Sequence, residues 1–171
     1  KGLETLIDAV AATDVSLLLA GDGPLEPQLR ERAAARNLGA RVRFLGRVPD
    51  DDLPACYRAA DIFVLPSVAS TETFGVVQVE AMASGLPVIS TRLSTGVPWV
   101  NQHGVSGLTV EPGDAIALSA AIHRLATDES ERVRLASGAI ERAQSQFAQA
   151  LMLSRFREVV DQVLSDRAPI A

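Results

Sequence analysis

Short apolar runs alternate with segments of helical periodicity along the whole chain, and this alternation limits the possible folds more than any other feature. The runs are "VSLLLAG", "RVRFLG", "DIFVLP", "PVIST" and "GLTV". Each is short, rich in branched residues and bounded by turn formers, so each reads as a strand. "VSLLLAG" is expected to be buried on both faces, as parallel strands are. Between the runs, "KGLETLIDAVAAT" sets Leu3, Leu6, Ile7, Val10 and Ala11 at helical spacing. Pro24 suits a first helical turn, and the helix through "LEPQLRERAAARN" is expected to stop at Gly39. "DDDLPACYRAA" opens with Asp50, Asp51 and Asp52, expected to cap a helix with Leu53, Cys56, Tyr57 and Ala60 on one face. Asp114 is expected to cap the helix that begins "AIALSAAIHRLA". Two further helices are predicted over 129–146 and 149–165, the second with Met152, Phe156, Val159 and Val163 on one side. Strands alternating with helices imply right-handed crossovers and parallel pairing. The expected fold is α/β, a Rossmann-like doubly wound parallel sheet, forming a single domain over residues 1–171.

Composition removes several function classes. The formal net charge is −5 and no Lys/Arg cluster stands out, which argues against a nucleic-acid partner. A single cysteine, Cys56, excludes an intrachain disulfide framework and reads as a core position. No apolar run approaches the ~20 residues of a membrane span. His103 and His123 share no metal-ligand spacing with other side chains; His123 reads as a surface residue of a helix.

In doubly wound sheets, ligands bind beyond the carboxyl ends of the strands. Those positions read "GDGP", "GRVPDDD", "PSVASTETFG" and "TRLSTG". The third leads into a helix that starts near Thr73 to Val76. A helix start leaves backbone N–H groups unpaired at the positive end of the dipole, which suits a phosphate or diphosphate. Gly75 would let a ligand approach that backbone closely. Two acids flank the turn, Glu72 before it and Glu80 inside the helix. The apolar neighbours of Glu80 are expected to wrap most of that helix. A carboxylate beside a diphosphate is unfavourable unless it accepts from neutral hydroxyls, and vicinal sugar hydroxyls meet that need. A sugar–diphosphate–ribose joins these parts.

The stretch "ETFGVVQVEAMASGLPVIST" resembles the E-x7-E signature of the family-4 retaining glycosyltransferases, the glycosyl transferases group 1 with the GT-B fold. The blocks "KGLETLIDA", "LLLAGDGPLE", "VRFLGRVPDDDLPACYRAADIFVLPS" and "GVSGLTVEPGDAIALSAAI" match in order around it. The resemblance implies the C-terminal, donor-binding half of a two-domain enzyme. It implies a UDP- or GDP-sugar as donor, and a glycan or lipid-linked acceptor held by a missing N-terminal domain. It implies work in polysaccharide or glycolipid biosynthesis, with neither metal nor other cofactor. The location it implies is cytoplasmic, with the full-length enzyme at the membrane surface.

Site roles follow from the same resemblance. The catalytic pair is Glu72, facing the transferred sugar, and Lys1, neutralising the diphosphate as it leaves. Donor binding falls to Glu80 on the ribose and to Thr73, Phe74, Gly75 and Val76 at the helix start. Gly21 and Gly23 let the chain turn close to the nucleotide, and Arg47 and Val48 line the base. This half alone is expected to bind weakly and not to catalyse.

Two departures from the family pattern stand out. Trp99 occupies a position where the family commonly has an acid, and reads as loop packing. The strand and arginine that the family carries just upstream of its K-G block are missing, so the sheet is expected to lack its first, central strand and to show a gap or close over it. Other classes compete. "GDGP" resembles a dinucleotide fingerprint, but Glu26 stands where its third glycine belongs, which weakens a nicotinamide-dependent dehydrogenase. A non-catalytic nucleotide-binding module also fits. The bland readings are a solvated loop acid for Glu72, a surface helix position for Glu80 and a frayed end for Lys1.

Overall fold

The structure is a computed structural model and describes residues 1–165. Helix α1 (Leu3–Ala11) leads to strand β1 (Leu17–Ala20), helix α2 (Glu26–Ala35), a 3-10 turn and strand β2 (Val42–Gly46). Helix α3 (Leu53–Arg58), strand β3 (Phe63–Leu65), helix α4 (Val76–Ala83) and strand β4 (Val88–Thr91) follow. Helix α5 (Val97–Val100), strand β5 (Gly107–Val110), α6 (Ala115–Thr127), α7 (Glu129–Gln146) and α8 (Gln149–Ser165) complete the order. Every named strand pair is parallel.

The strands form two sheets. One pairs β1 with β2; the other has the order β3-β4-β5. Among the described residues no ladder joins β1 to β3, so the layer is divided and does not close over. One core still spans both sheets. Leu6, Ile7 and Val10 of α1, Leu19 of β1 and Val42 of β2 share a cluster with Ile89, Leu108, Leu118, Leu125 and Leu135. Each such aliphatic side chain contributes roughly 1.5–3 kcal/mol on full burial. A second cluster ties α4 to β4 and α7 through Ala81, Met82, Val88, Ala139 and Ala143.

Several sequence expectations change. β1 is not buried on both faces: Leu19 is buried, but Leu18 and Ala20 are exposed. The proline in the first turn of α2 is Pro27, not Pro24. That helix ends at Ala35, with Asn37 in the left-handed region at φ 56 and Leu38 N–H donating to Ala33 O, so the stop precedes Gly39. Asp52 sits at the start of α3 with a helical backbone and caps nothing through its side chain, whereas Asp114, with an extended backbone, accepts from Ala117 N–H at 2.8 Å. Cys56 is only half-buried. The predicted bounds of α7 and α8 coincide with those found, and Met152, Phe156, Val159 and Val163 all lie exposed on α8.

Candidate functional site

The loop from β3 to α4 is held by its neighbours as well as by its own bond from Glu72 N–H to Ala69 O at 3.1 Å. Thr95 Oγ1 donates to Glu72 O at 2.9 Å, and Gly96 N–H donates to Thr73 O at 2.8 Å. Gln78 is fully buried, and its Nε2 donates to Phe74 O at 2.9 Å. The Phe74 ring packs on Trp99 and edge-on to Phe147, with centroids 6.1 and 5.9 Å away. The carbonyls of this turn are thus directed inward. The N–H groups of Gly75, Val76 and Val77 have no acceptor among the described residues, and the first turn of α4 holds no acid. That end of the helix is an uncompensated partial positive charge.

Gly75 is the N-cap of α4 with φ 71. A Cβ on it would lie 2.6 Å from Leu65 Cδ2 and 2.9 Å from Gln78 Nε2. The glycine is therefore demanded by the turn and by packing beneath it, a reason separate from ligand approach.

Lys1 reaches this turn from the far end of the sequence. Gly2 caps α1 with φ 73, and a Cβ there would lie 2.0 Å from Pro66 O. Only glycine lets α1 begin against the end of β3. From that point Lys1 Nζ lies 2.7 Å from Glu72 Oε2, and Ser67 Oγ donates to the same oxygen at 3.3 Å. Glu72 is the less accessible partner, its side chain 16% exposed against 67% for Lys1. A pair this open contributes ~0–1 kcal/mol to stability, too little to explain its placement by folding alone. Lys1, Ser67, Val68, Ala69, Thr71 and Glu72 line an open cavity of about 100 Å³. That is well below the ~300 Å³ of a whole-ligand pocket, room for one end of a ligand only.

Glu80 lies on the exposed stripe of α4 with Val76 and Ala83, so α4 is not wrapped in apolar contacts as expected. Tyr57 Oη donates to Glu80 Oε2 at 2.8 Å. Burial first, and the adjacent Glu80 second, push the Tyr57 phenol well above its ordinary value.

The remaining candidates collect at the ends of β1 and β2. Gly21 N–H donates to Gly46 O at 2.7 Å, which brings the "GDG" turn beside Arg47 and Val48. A Cβ on Gly21 or Gly23 would meet nothing within 4 Å. Arg47 is exposed and Val48 half-buried. Trp99 stacks in the Phe74–Phe147 cluster, with Arg142 above its ring. His103 Nδ1 accepts from Thr109 N–H at 2.9 Å and ties its loop to β5. His123 is exposed. Among the described residues, no group of three or more His, Cys, Asp or Glu is placed to hold a metal. None of the described helices is long and apolar enough to cross a membrane.

The structure therefore joins Lys1 to Glu72 and Tyr57 to Glu80, and gathers Gly21 with Arg47 and Val48. Sequence reasoning missed Gly2, Ser67, Tyr57, Thr95 and Gly96. Position alone could have signalled some of them, because Gly2 adjoins Lys1 and Thr95-Gly96 lies in a loop after a strand.

The family model for glycosyl transferases group 1 matches residues 1–142. D-rhamnosyltransferase WbpZ of Pseudomonas aeruginosa is 40% identical over 126 residues, covering 73% of this chain and 32% of that protein. The lipopolysaccharide core biosynthesis glycosyltransferase LpsE of Rhizobium meliloti is 38% identical over 161 residues, covering 94% and 46%. The crystal structure of Anabaena Alr3699/HepE in complex with UDP-glucose superimposes with a TM-score of 0.86 at 31% identity, covering 95% of this chain and 45% of that one. The chain spans from about a third to just under half of these relatives' lengths.

Proposed function

The chain belongs to the glycosyl transferases group 1 family, and from that membership together with the site geometry we propose that it binds a nucleoside diphosphate sugar and serves as the donor half of a glycosyltransferase. The bond broken is that between the anomeric carbon and the diphosphate. The acceptor is a hydroxyl of a glycan or lipid-linked substrate, bound by a part of the protein outside this chain, and the anomeric configuration is kept. The work belongs to polysaccharide or glycolipid biosynthesis, in the cytoplasm at the membrane surface.

What supports this reading is the meeting of Lys1 and Glu72, 2.7 Å apart, in the same loop that leads into the unpaired N–H groups opening α4. A cation and three N–H groups suit a departing diphosphate, and a carboxylate in the same turn suits the hydroxyls of the sugar attached to it. Lys1 neutralises charge on the leaving group. Glu72 accepts from the sugar and stabilises positive charge developing at its ring. Glu80 accepts from the ribose. Arg47 and Val48 line the base, with Gly21 and Gly23 leaving room for the nucleotide. The donor is a UDP- or GDP-sugar, and the protein's own cations replace a metal.

Titration with UDP, GDP and NAD tests the donor class; tighter binding of NAD than of either diphosphate would return the chain to the dehydrogenases. Glu80→Ala should weaken UDP or GDP roughly 10- to 150-fold, the loss of a charge-assisted bond of ~1.5–3 kcal/mol. Glu72→Ala should leave the diphosphate nearly untouched and weaken the nucleotide sugar. Equal losses of diphosphate in both variants would sink the two-ended assignment.

A further inference from the structure

We propose that Tyr57 is a positioning residue for the donor: its phenol fixes the Glu80 carboxylate in the orientation that accepts from the ribose. The inference rests on the ribose role of Glu80 given above. Glu80 is a long side chain on an exposed stripe of α4. Left alone it samples many rotamers, and a ligand that uses it must freeze them. Tyr57 removes part of that cost in advance. Its ring is held edge-on to Phe63 of β3, centroids 5.8 Å apart, and packs on the cluster beneath α4. From this fixed ring, Oη donates to Glu80 Oε2 at 2.8 Å. A carboxylate has about four lone-pair sites, so one bond to Tyr57 leaves Oε1 and part of Oε2 for hydroxyl donors. Tyr57 and the ribose hydroxyls are donors to the same carboxylate, and its remaining lone pairs let it accept from both. Preorganisation of this kind raises affinity without any new contact to the ligand.

The test separates positioning from simple support of the fold. UDP and 2′,3′-dideoxy-UDP are titrated into the unsubstituted chain, Tyr57→Phe, Glu80→Gln and the double variant. The unsubstituted chain should prefer UDP. Tyr57→Phe should bind UDP roughly three- to tenfold more weakly, bind the dideoxy nucleotide unchanged, and add nothing once Glu80→Gln is present. Equal weakening of both nucleotides, or an undiminished preference for UDP in Tyr57→Phe, overturns the proposal. An unsubstituted chain that does not prefer UDP overturns the ribose role of Glu80 itself, and the proposal with it. Tyr57 is the only tyrosine of the chain. An isotope label in its ring therefore gives one magnetic-resonance signal without substitution at Tyr57. That signal should move in Glu80→Gln, and a signal that stays in place overturns the proposal even if Tyr57→Phe does not fold.

Discussion

β4 and β1 are both four-residue parallel strands, yet the more polar one, β4, is the buried one. β4 is paired on both sides, and all of its residues are buried, including Ser90 and Thr91. Among the described residues β1 is paired only with β2, and it exposes Leu18 and Ala20. Around β4 the polar groups are satisfied by built contacts. Asn101 is fully buried, and its Nδ2 lies within 3.0 Å of Val88 O, Ser90 Oγ and Leu108 O, which clamps β4 to β5. The turn that carries Glu72 stands on this rigid sheet, held by Thr95 and Gly96 from the loop after β4. The turn that carries Gly21 and Gly23 stands on the open one. The sugar and diphosphate end of the proposed site is thus prebuilt, and the nucleoside end is left room to adjust.

The strongest way to break this comparison is one substitution made twice. In Gly107→Ala the new Cβ would lie 1.7 Å from Val88 O, so β4 and β5 would have to separate. A loss on the order of 4 kcal/mol or more is expected. Gly23 has nothing within 4 Å of its Cβ direction and is not left-handed, so Gly23→Ala should change stability by no more than about 0.5 kcal/mol. Thermal melts of the two variants decide it. A similar fall in both would mean that the two sheets are equally tight.

Asn101→Leu probes the clamp without changing backbone geometry. It removes the donor that serves two strand carbonyls and strands the Ser90 hydroxyl in the core. A loss of about 3 kcal/mol is expected from buried groups left unpaired. For a chain of this size that is roughly a 6–12 °C drop in melting temperature. Thr95→Val is gentler. It deletes one bond to Glu72 O and keeps the side chain's volume, so it should lower stability by about 1 kcal/mol. Its sharper signature is faster amide exchange in the Glu72–Gly75 turn, with no change around Gly21.

How much of this was legible in the sequence follows from the range of the forces involved. Apolar periodicity is local, so α7 at Glu129–Gln146 and α8 at Gln149–Ser165 could be read directly. Caps depend on backbone angles that side-chain identity does not fix. Asp114 caps because its backbone is extended, and Asp52 does not because its backbone is already helical. In the site, the acids and the helix start stood out because they lie within one short stretch. Of their supports, Lys1 was reached only through the resemblance of its K-G block, and Tyr57 was not reached as a site residue at all. Lys1 meets Glu72 across 71 residues, and Tyr57 meets Glu80 across 23. Those distances close only when α1 and α3 pack against β3 and α4. The burial of Gln78 and the exposure of Val76 ran against their polarity, since packing under Gly75 and the open stripe of α4 decided both.

The smallest expected effect concerns how the open half is fastened to the rest. α1 packs on α6 through the shared core, and its Asp8 reaches α2 through Arg36 at 3.1 Å and through a bidentate pair with Arg32. The hydrogen bond from Arg32 is the main cause that holds the Asp8 carboxyl below its ordinary value of 3.8; burial acts the other way, and the charges of Arg32 and Arg36 add to the lowering. The folded value is the lower one, so the folded state favours the ionised form. The contribution is complete above 3.8 and is lost as pH falls through the still lower folded value. Both arginines are substantially exposed, at 39% and 50%, so the pairs are screened and worth under ~1 kcal/mol. Asp8→Asn should therefore destabilise slightly at neutral pH, and the difference from the unsubstituted chain should vanish in strong acid. Denaturant melts at the two pH values measure this. A difference that persists in acid would assign the effect to packing at the α1–α2 contact, and the open half would then be fastened by shape instead of charge.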